Sequence, residues 1–189
     1  KSIVKIPDSS EGNFVNKYFP NWSIPYLHLS RADRPTGTWL LLLPCLFGIL
    51  LAYVEKNNLS VSFYEIWLLI ACIIGAFLMR GAGCTWNDIL DKDYDAKVKR
   101  TQNRPIPSGQ VTIRRAIYWM IVQSLLAFII LLTFNKFSIL VACLSLILVA
   151  IYPLAKRFTW WPQIFLGLAF NWGVLVGYSA ITHKLSVSV

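Results

Sequence analysis

The second half of the chain is poor in acid: after Asp95 there is neither aspartate nor glutamate up to Val189. Any chemistry that needs several carboxylates must therefore draw on the first half. Charge is scarce throughout, at 14% against about a quarter in soluble domains, while 56% of residues are hydrophobic. With a mean hydropathy of +0.55, this excludes an ordinary soluble globular domain. Of the four cysteines, Cys45, Cys72, Cys84 and Cys143, no two have C-x-x-C spacing, which excludes that form of metal or redox site. Small apolar filler is the expected role of each. Low-complexity runs and internal repeats are also absent.

What the chain does contain is apolar runs of membrane-crossing length, which takes about 20 residues as a helix. They lie at roughly 36–54, 64–86, 114–134, 137–155 and 160–182, giving five expected spans. Charge placement agrees with that number. With Arg80 assigned to the loop after the second span, one set of alternating segments holds 15 of the 18 basic residues. The opposite set holds Lys56, Lys136 and Lys184, which predicts a cytoplasmic N-terminus. Much of the formal charge of +9 is thus topological, and no nucleic-acid partner is expected. Residues 1–30 are polar, contain Pro7, Pro20 and Pro25, and are expected as a partly ordered arm without an assigned function.

The segment "TWNDILDKDYDAKVKR", residues 85–100, packs four aspartates between Asp88 and Asp95 at the end of the second span. In a helix, positions four apart drift by only about 40°, so Asn87, Asp91 and Asp95 fall on one stripe, with Asp88 at its margin. Carboxylates so aligned can hold Mg²⁺, which takes one or two of them and completes its shell with water and phosphate oxygens. Lys97, Lys99, Arg100 and Arg104 follow at once and would neutralise a polyanion. The pattern predicts a metal-diphosphate site; a solvated charged loop is the plain alternative. An EF-hand calcium loop is excluded, because Ala96 and Gln102 stand where that loop needs Gly and Glu.

Small residues Gly81, Ala82 and Gly83, and again Gly173 and Gly177, are expected to serve close helix packing. Asn171 falls in mid-span and must be satisfied by a neighbouring helix or a cavity. Lys156 and Arg157 close the fourth span, where snorkelling and topology account for their charge.

"GAGCTWNDILDKDYDAKVKRTQNRPIPSG" resembles the N-D-x-x-D-x-x-x-D region of the UbiA superfamily of intramembrane prenyltransferases, most closely its 4-hydroxybenzoate polyprenyltransferase branch. The resemblance continues through "RADRPTGTWLLLLPCLFGI", "YPLAKR" and "PQIFLGLAFNWGVLVGYSA", and so covers most of residues 31–180. It implies an all-α, polytopic transmembrane helical bundle, about five spans of a nine-helix fold, with residues 31–189 its N-terminal part. It also implies transfer of a polyprenyl group from polyprenyl diphosphate to the ring of 4-hydroxybenzoate in ubiquinone biosynthesis, in contact with membrane lipid. By resemblance, Asn87, Asp88, Asp91 and Asp95 belong to the first Mg²⁺-diphosphate motif, with Asp91 and Asp95 as the catalytic pair. Lys97, Arg100 and Lys156 become diphosphate contacts. Arg157 is the first candidate for the aromatic carboxylate, with Arg104, Arg34 and Asn171 beside it. Tyr152 and tryptophans are candidate walls of a water-excluding cavity.

The family's second aspartate motif lies beyond the fifth span, where this chain has no acidic residue. The expectation is a fragment, a truncated product or half of a split pair, inactive without the C-terminal part. Another aromatic acceptor, homogentisate or a naphthoate, and a non-catalytic polytopic membrane protein are the alternatives. Residues 1–30 have neither an apolar signal core nor Arg-rich transit character, which places the bacterial inner membrane ahead of the mitochondrial inner membrane as the expected location.

Overall fold

The computed structural model describes residues 14–56, 62–155 and 159–186. All regular structure among them is helical. Two short helices, α1 (Phe14–Tyr18) and α2 (Ile24–Leu29), precede three long ones, α3 (Thr36–Lys56), α4 (Phe63–Leu90) and, after the one-turn α5 (Lys92–Asp95), α6 (Ile113–Leu131). Then come α7 (Lys136–Ala155) and α8 (Pro162–Thr182). The five long helices are each long and apolar enough to cross a membrane. Phe47, Leu50, Ile73, Leu125, Ile129, Leu140 and Ile147 on these helices are exposed, apolar side chains that a membrane interior accommodates.

The chain divides into two compact units. The first comprises residues 1–37 and 78–126, the second residues 38–77 and 127–189.

In the second unit α7 and α8 lie side by side, and the core gathers Leu42, Ile49, Leu68, Cys72, Tyr178 and Ile181. Glycines permit the close approach of α3 and α8. A methyl group on Gly48 would collide with the Val174 carbonyl, and one on Gly177 with the Cys45 carbonyl. Gly173 faces the Cys45 thiol in the same seam, so the small-x-x-x-small pair does serve packing. Polar caps tie the helix ends: Asn135 Nδ2 donates to Ser179 O at 2.9 Å and Ala180 O at 3.1 Å, and Lys56 Nζ donates to Ile181 O at 2.9 Å. Tyr178 also donates its hydroxyl to Glu55. Pro44 and Pro153 stand inside α3 and α7, as membrane helices tolerate.

In the first unit, residues 14–30 of the segment expected as a partly ordered arm contribute packed side chains. Val15, Ile24 and Ala32 form a small core with Leu27, and Leu29 joins Ile106, Val111 and Ala116 in another. Ser30 accepts hydrogen bonds from Trp119 Nε1 at 2.8 Å and Gln123 Nε2 at 2.9 Å, both from α6. Gly81 leaves the room for Gln123, which a side chain there would strike.

Candidate functional site: two carboxylates and two arginines at the end of a membrane helix

α4 continues to Leu90, four residues beyond the expected end of the second span, and carries Asn87 and Asp88 with it. Helical hydrogen bonding persists through the aspartate segment: Asp91 N–H donates to Asn87 O at 2.9 Å and Asp95 N–H to Asp91 O at 2.8 Å. At Asp91 itself the backbone bends, with φ −91° and ψ 4°, and α5 begins. The stripe of every fourth residue is thus interrupted at its middle member.

Asp88 and Asp95 share a partner. Seven residues apart, they would differ by only about 20° on a helix. Arg104 Nη1 donates to Asp95 Oδ2 at 2.7 Å and approaches Asp88 Oδ1 at 3.4 Å. Arg31 Nη2 donates to both oxygens of Asp88, at 2.8 and 3.1 Å. The Asp88 side chain is 1% exposed. Charge-assisted bonds of this kind offset part of the cost of burying the carboxylates.

Local chemistry explains how both arginines arrive. α2 ends with Arg31 N–H donating to His28 O at 3.1 Å and Ala32 N–H donating to Leu27 O at 3.0 Å, the two bonds of a Schellman stop. Arg31 occupies its left-handed position with φ 54°, where glycine is usual. Burial works against the Arg31 charge, yet the Asp88 and Asp33 carboxylates hold its pKa above the ordinary arginine value.

Arg104 is set by the loop after α5. Thr101 Oγ1 donates to Asp95 O at 2.9 Å, Arg104 N–H donates to Thr101 O at 2.9 Å, and Ser108 closes back on Arg104 O through its N–H at 3.0 Å and its hydroxyl at 2.6 Å. Buried Pro105, Ile106 and Val111 anchor that loop, and Gly109 takes φ 73° at its turn.

Beside this cluster, Arg34 Nε and Nη2 both donate to Asp33 Oδ2, at 3.1 and 3.0 Å. His28 Nδ1 lies 3.7 Å from Asp33 Oδ1, and its Nε2 is 3.0 Å from Asn16 Oδ1. Burial alone would raise the Asp33 carboxyl, but the His28 ring and the Arg34 guanidinium outweigh it and hold its pKa below the usual carboxylate value.

The remaining expected site residues are distributed as follows. Asn87 and Asp91, one turn apart at the end of α4, are half-buried, while Asp93, Lys97, Lys99 and Arg100 are exposed. Lys156 and Arg157 lie outside the described residues. Asn171, in the second unit, is exposed and donates Nδ2 to Gly167 O in its own helix at 2.9 Å, a local bond rather than one to a neighbouring helix. Sequence reasoning missed the direct Arg31–Asp88 pair and the joint hold of Arg104 on Asp88 and Asp95. The seven-residue spacing was the available signal for the latter.

Among the described residues, no group of three or more His, Cys, Asp or Glu side chains is placed to hold a metal ion. Asn87 and Asp91 still fit a more modest role. They offer two oxygen-bearing side chains at a helix end, which suits a cation that takes the rest of its shell from water and phosphate.

Comparison with known proteins gives this arrangement a lineage. The chain is 45% identical over 179 residues to "4-hydroxybenzoate polyprenyltransferase, mitochondrial" of Arabidopsis thaliana, covering 95% of this chain and 43% of that protein. It is 48% identical over 165 residues to the protein of the same name in Homo sapiens, covering 87% of this chain and 43% of that one. The Dictyostelium discoideum protein of that name is 45% identical over 180 residues, covering 93% of this chain and 38% of the relative. The chain thus spans about two fifths of the length of these relatives. No solved structure matches it. The sequence profile described as "UbiA prenyltransferase family" matches residues 41–189, and the chain belongs to that family.

Proposed function

We propose that the complete protein carrying this chain transfers a polyprenyl group from polyprenyl diphosphate to the ring of 4-hydroxybenzoate, a step of ubiquinone biosynthesis, and that it needs Mg²⁺. The observation that carries this reading is Asn87 and Asp91 at the end of a membrane helix, flanking an Asp88 that holds two partly buried arginines, in a chain of the UbiA family. The names of the relatives support the acceptor. They also support the mitochondrial inner membrane over the bacterial one.

In this reading Asn87 and Asp91 hold the cation with the diphosphate of the donor, while exposed Lys97 and Arg100 draw the polyanion to the membrane surface. A bound Mg²⁺ would neutralise charge that builds on the departing diphosphate. Arg31 and Arg104 are held at Asp88 in the turn before Asp91, and since Asp88 and Asp95 balance their formal charge, they favour the same departure through the fixed orientation of their N–H donors. Ring attack on the allylic cation and loss of a ring proton complete the transfer. Asp95 keeps Arg104 in place from the other side. Lys156 and Arg157 remain proposed contacts of diphosphate and aromatic carboxylate, with Arg34 as a further candidate for the latter.

The test is an acceptor competition with the full-length protein in membranes, offered 4-hydroxybenzoate, homogentisate and a naphthoate together with a polyprenyl diphosphate. Prenylation of 4-hydroxybenzoate above the other two is expected. Preference for another ring would reassign the acceptor, and no transfer to any would favour a non-catalytic membrane protein.

A further inference from the structure

We infer that Asp88 is a positioning residue, the buried counter-ion that fixes Arg31 and Arg104, and not a ligand of the divalent cation. The inference rests on the prenyltransferase reading above and deepens it.

The geometry separates Asp88 from its neighbours in the motif. A Mg²⁺ ligand must present a lone pair at about 2.0–2.1 Å to an ion that keeps several waters. Asp88 is 1% exposed, and both its oxygens accept from Arg31, with Arg104 closing on Oδ1. A divalent cation at that carboxylate would stand against two guanidinium charges, without room for its water. Asn87 and Asp91, at the same helix end, are half-buried and keep surface open to water.

Backbone conformation gives an independent reason. Arg31 holds φ 54° at a helix stop that normally favours glycine. An arginine is accommodated in that strained position because its side chain reaches Asp88. On the other flank, Arg104 bridges Asp88 to Asp95. One carboxylate therefore ties the segment before α3 and the loop after α5 to the end of α4. It gathers two guanidinium groups one helical turn from Asp91.

Two constants of the full-length protein distinguish a positioning residue from a ligand: the KM for polyprenyl diphosphate at saturating Mg²⁺, and the Mg²⁺ concentration for half-maximal rate at saturating diphosphate. Asp88→Asn should raise the first by about tenfold, the worth of roughly one charge-assisted hydrogen bond, and leave the second within about twofold. Loss of a ligand would instead shift the Mg²⁺ requirement, with activity restored by excess Mg²⁺, and would overturn the inference. An unchanged diphosphate KM in folded protein would overturn it too.

If Asp88→Asn alone fails to fold, the double variant Arg31→Gln/Asp88→Asn supplies the same readouts. It removes both charges and keeps the Arg104–Asp95 pair. Neutral replacement of both partners in a buried pair is far better tolerated than loss of one. Its thermal midpoint in detergent should therefore lie above that of either single variant, and a double variant that stays unfolded contradicts the assignment. Absence of transfer by the unaltered protein would refute the prenyltransferase reading itself, a result distinct from all of these.

Discussion

Arg31 and Asp88 stand 57 positions apart and meet through Arg31 Nη2 at 2.8 and 3.1 Å. The contact joins a helix stop before the first membrane helix to the end of the second. Its backbone cost is separable from its charge. Arg31→Gly and Arg31→Ala both delete the ion pair, but only glycine relieves φ 54°. The glycine variant should be more stable than the alanine variant by about 1 kcal/mol. Thermal unfolding of both in detergent checks this; equal midpoints would mean that the left-handed conformation carries no cost.

Arg104 serves two carboxylates at once. Arg104→Gln should destabilise by about 3 kcal/mol, because it strips Asp95 of its cation and leaves Asp88 with one. Arg104→Lys should lose less, as a point charge can still reach one of them. Limited trypsin digestion gives the local readout. Cleavage at Lys97, Lys99 and Arg100 should accelerate in Arg104→Gln, since the loop loses its anchor; an unchanged rate would show that the loop is held by its apolar residues alone.

The pH dependence follows from Asp33, whose pKa is held below the usual carboxylate value despite burial. A depressed folded-state pKa means that its contribution is fully present above the unfolded value of about 3.9 and is lost as pH falls through the lower folded one. Stability of the unaltered protein should therefore fall along an acid limb that Asp33→Asn flattens. Arg31, raised rather than lowered, stays charged throughout and adds nothing to that limb. Unfolding midpoints measured between neutral pH and about pH 3 decide the point; parallel curves for the two proteins would contradict it.

The helix seam of the second unit gives a prediction independent of the charged cluster. Gly177→Ala would push a methyl group into the Cys45 backbone carbonyl and should cost about 1–3 kcal/mol. Gly167→Ala, in the same helix with nothing within 4 Å, should be neutral or slightly stabilising. Thermal midpoints of the two variants check the contrast.

The membrane spans were legible because run length alone identifies them: α3, α7 and α8 begin or end within two residues of the apolar limits. Where the chain turns is less legible. α4 outruns its apolar stretch through Asp88, where two partly buried arginines satisfy that carboxylate, and α6 stops at Leu131, where turns at Thr133 and Phe134 intervene. The aspartate stripe was readable as a helical repeat, but a repeat does not specify partners. Arg31 is remote in sequence, and its role depends on a helix stop in a segment with little periodicity. Arg104 reaches back only through the turns from Thr101 to Ser108.

A Mg²⁺-dependent grip of Asn87 and Asp91 on the prenyl diphosphate is what the proposed chemistry depends on. It is tested by transfer of labelled polyprenyl groups to 4-hydroxybenzoate by the full-length protein, before and after chelation and with Asp91→Ala in parallel. Transfer should stop on chelation, return with added Mg²⁺, and be lost in the variant. Undiminished transfer after complete chelation, or in Asp91→Ala, would contradict that grip.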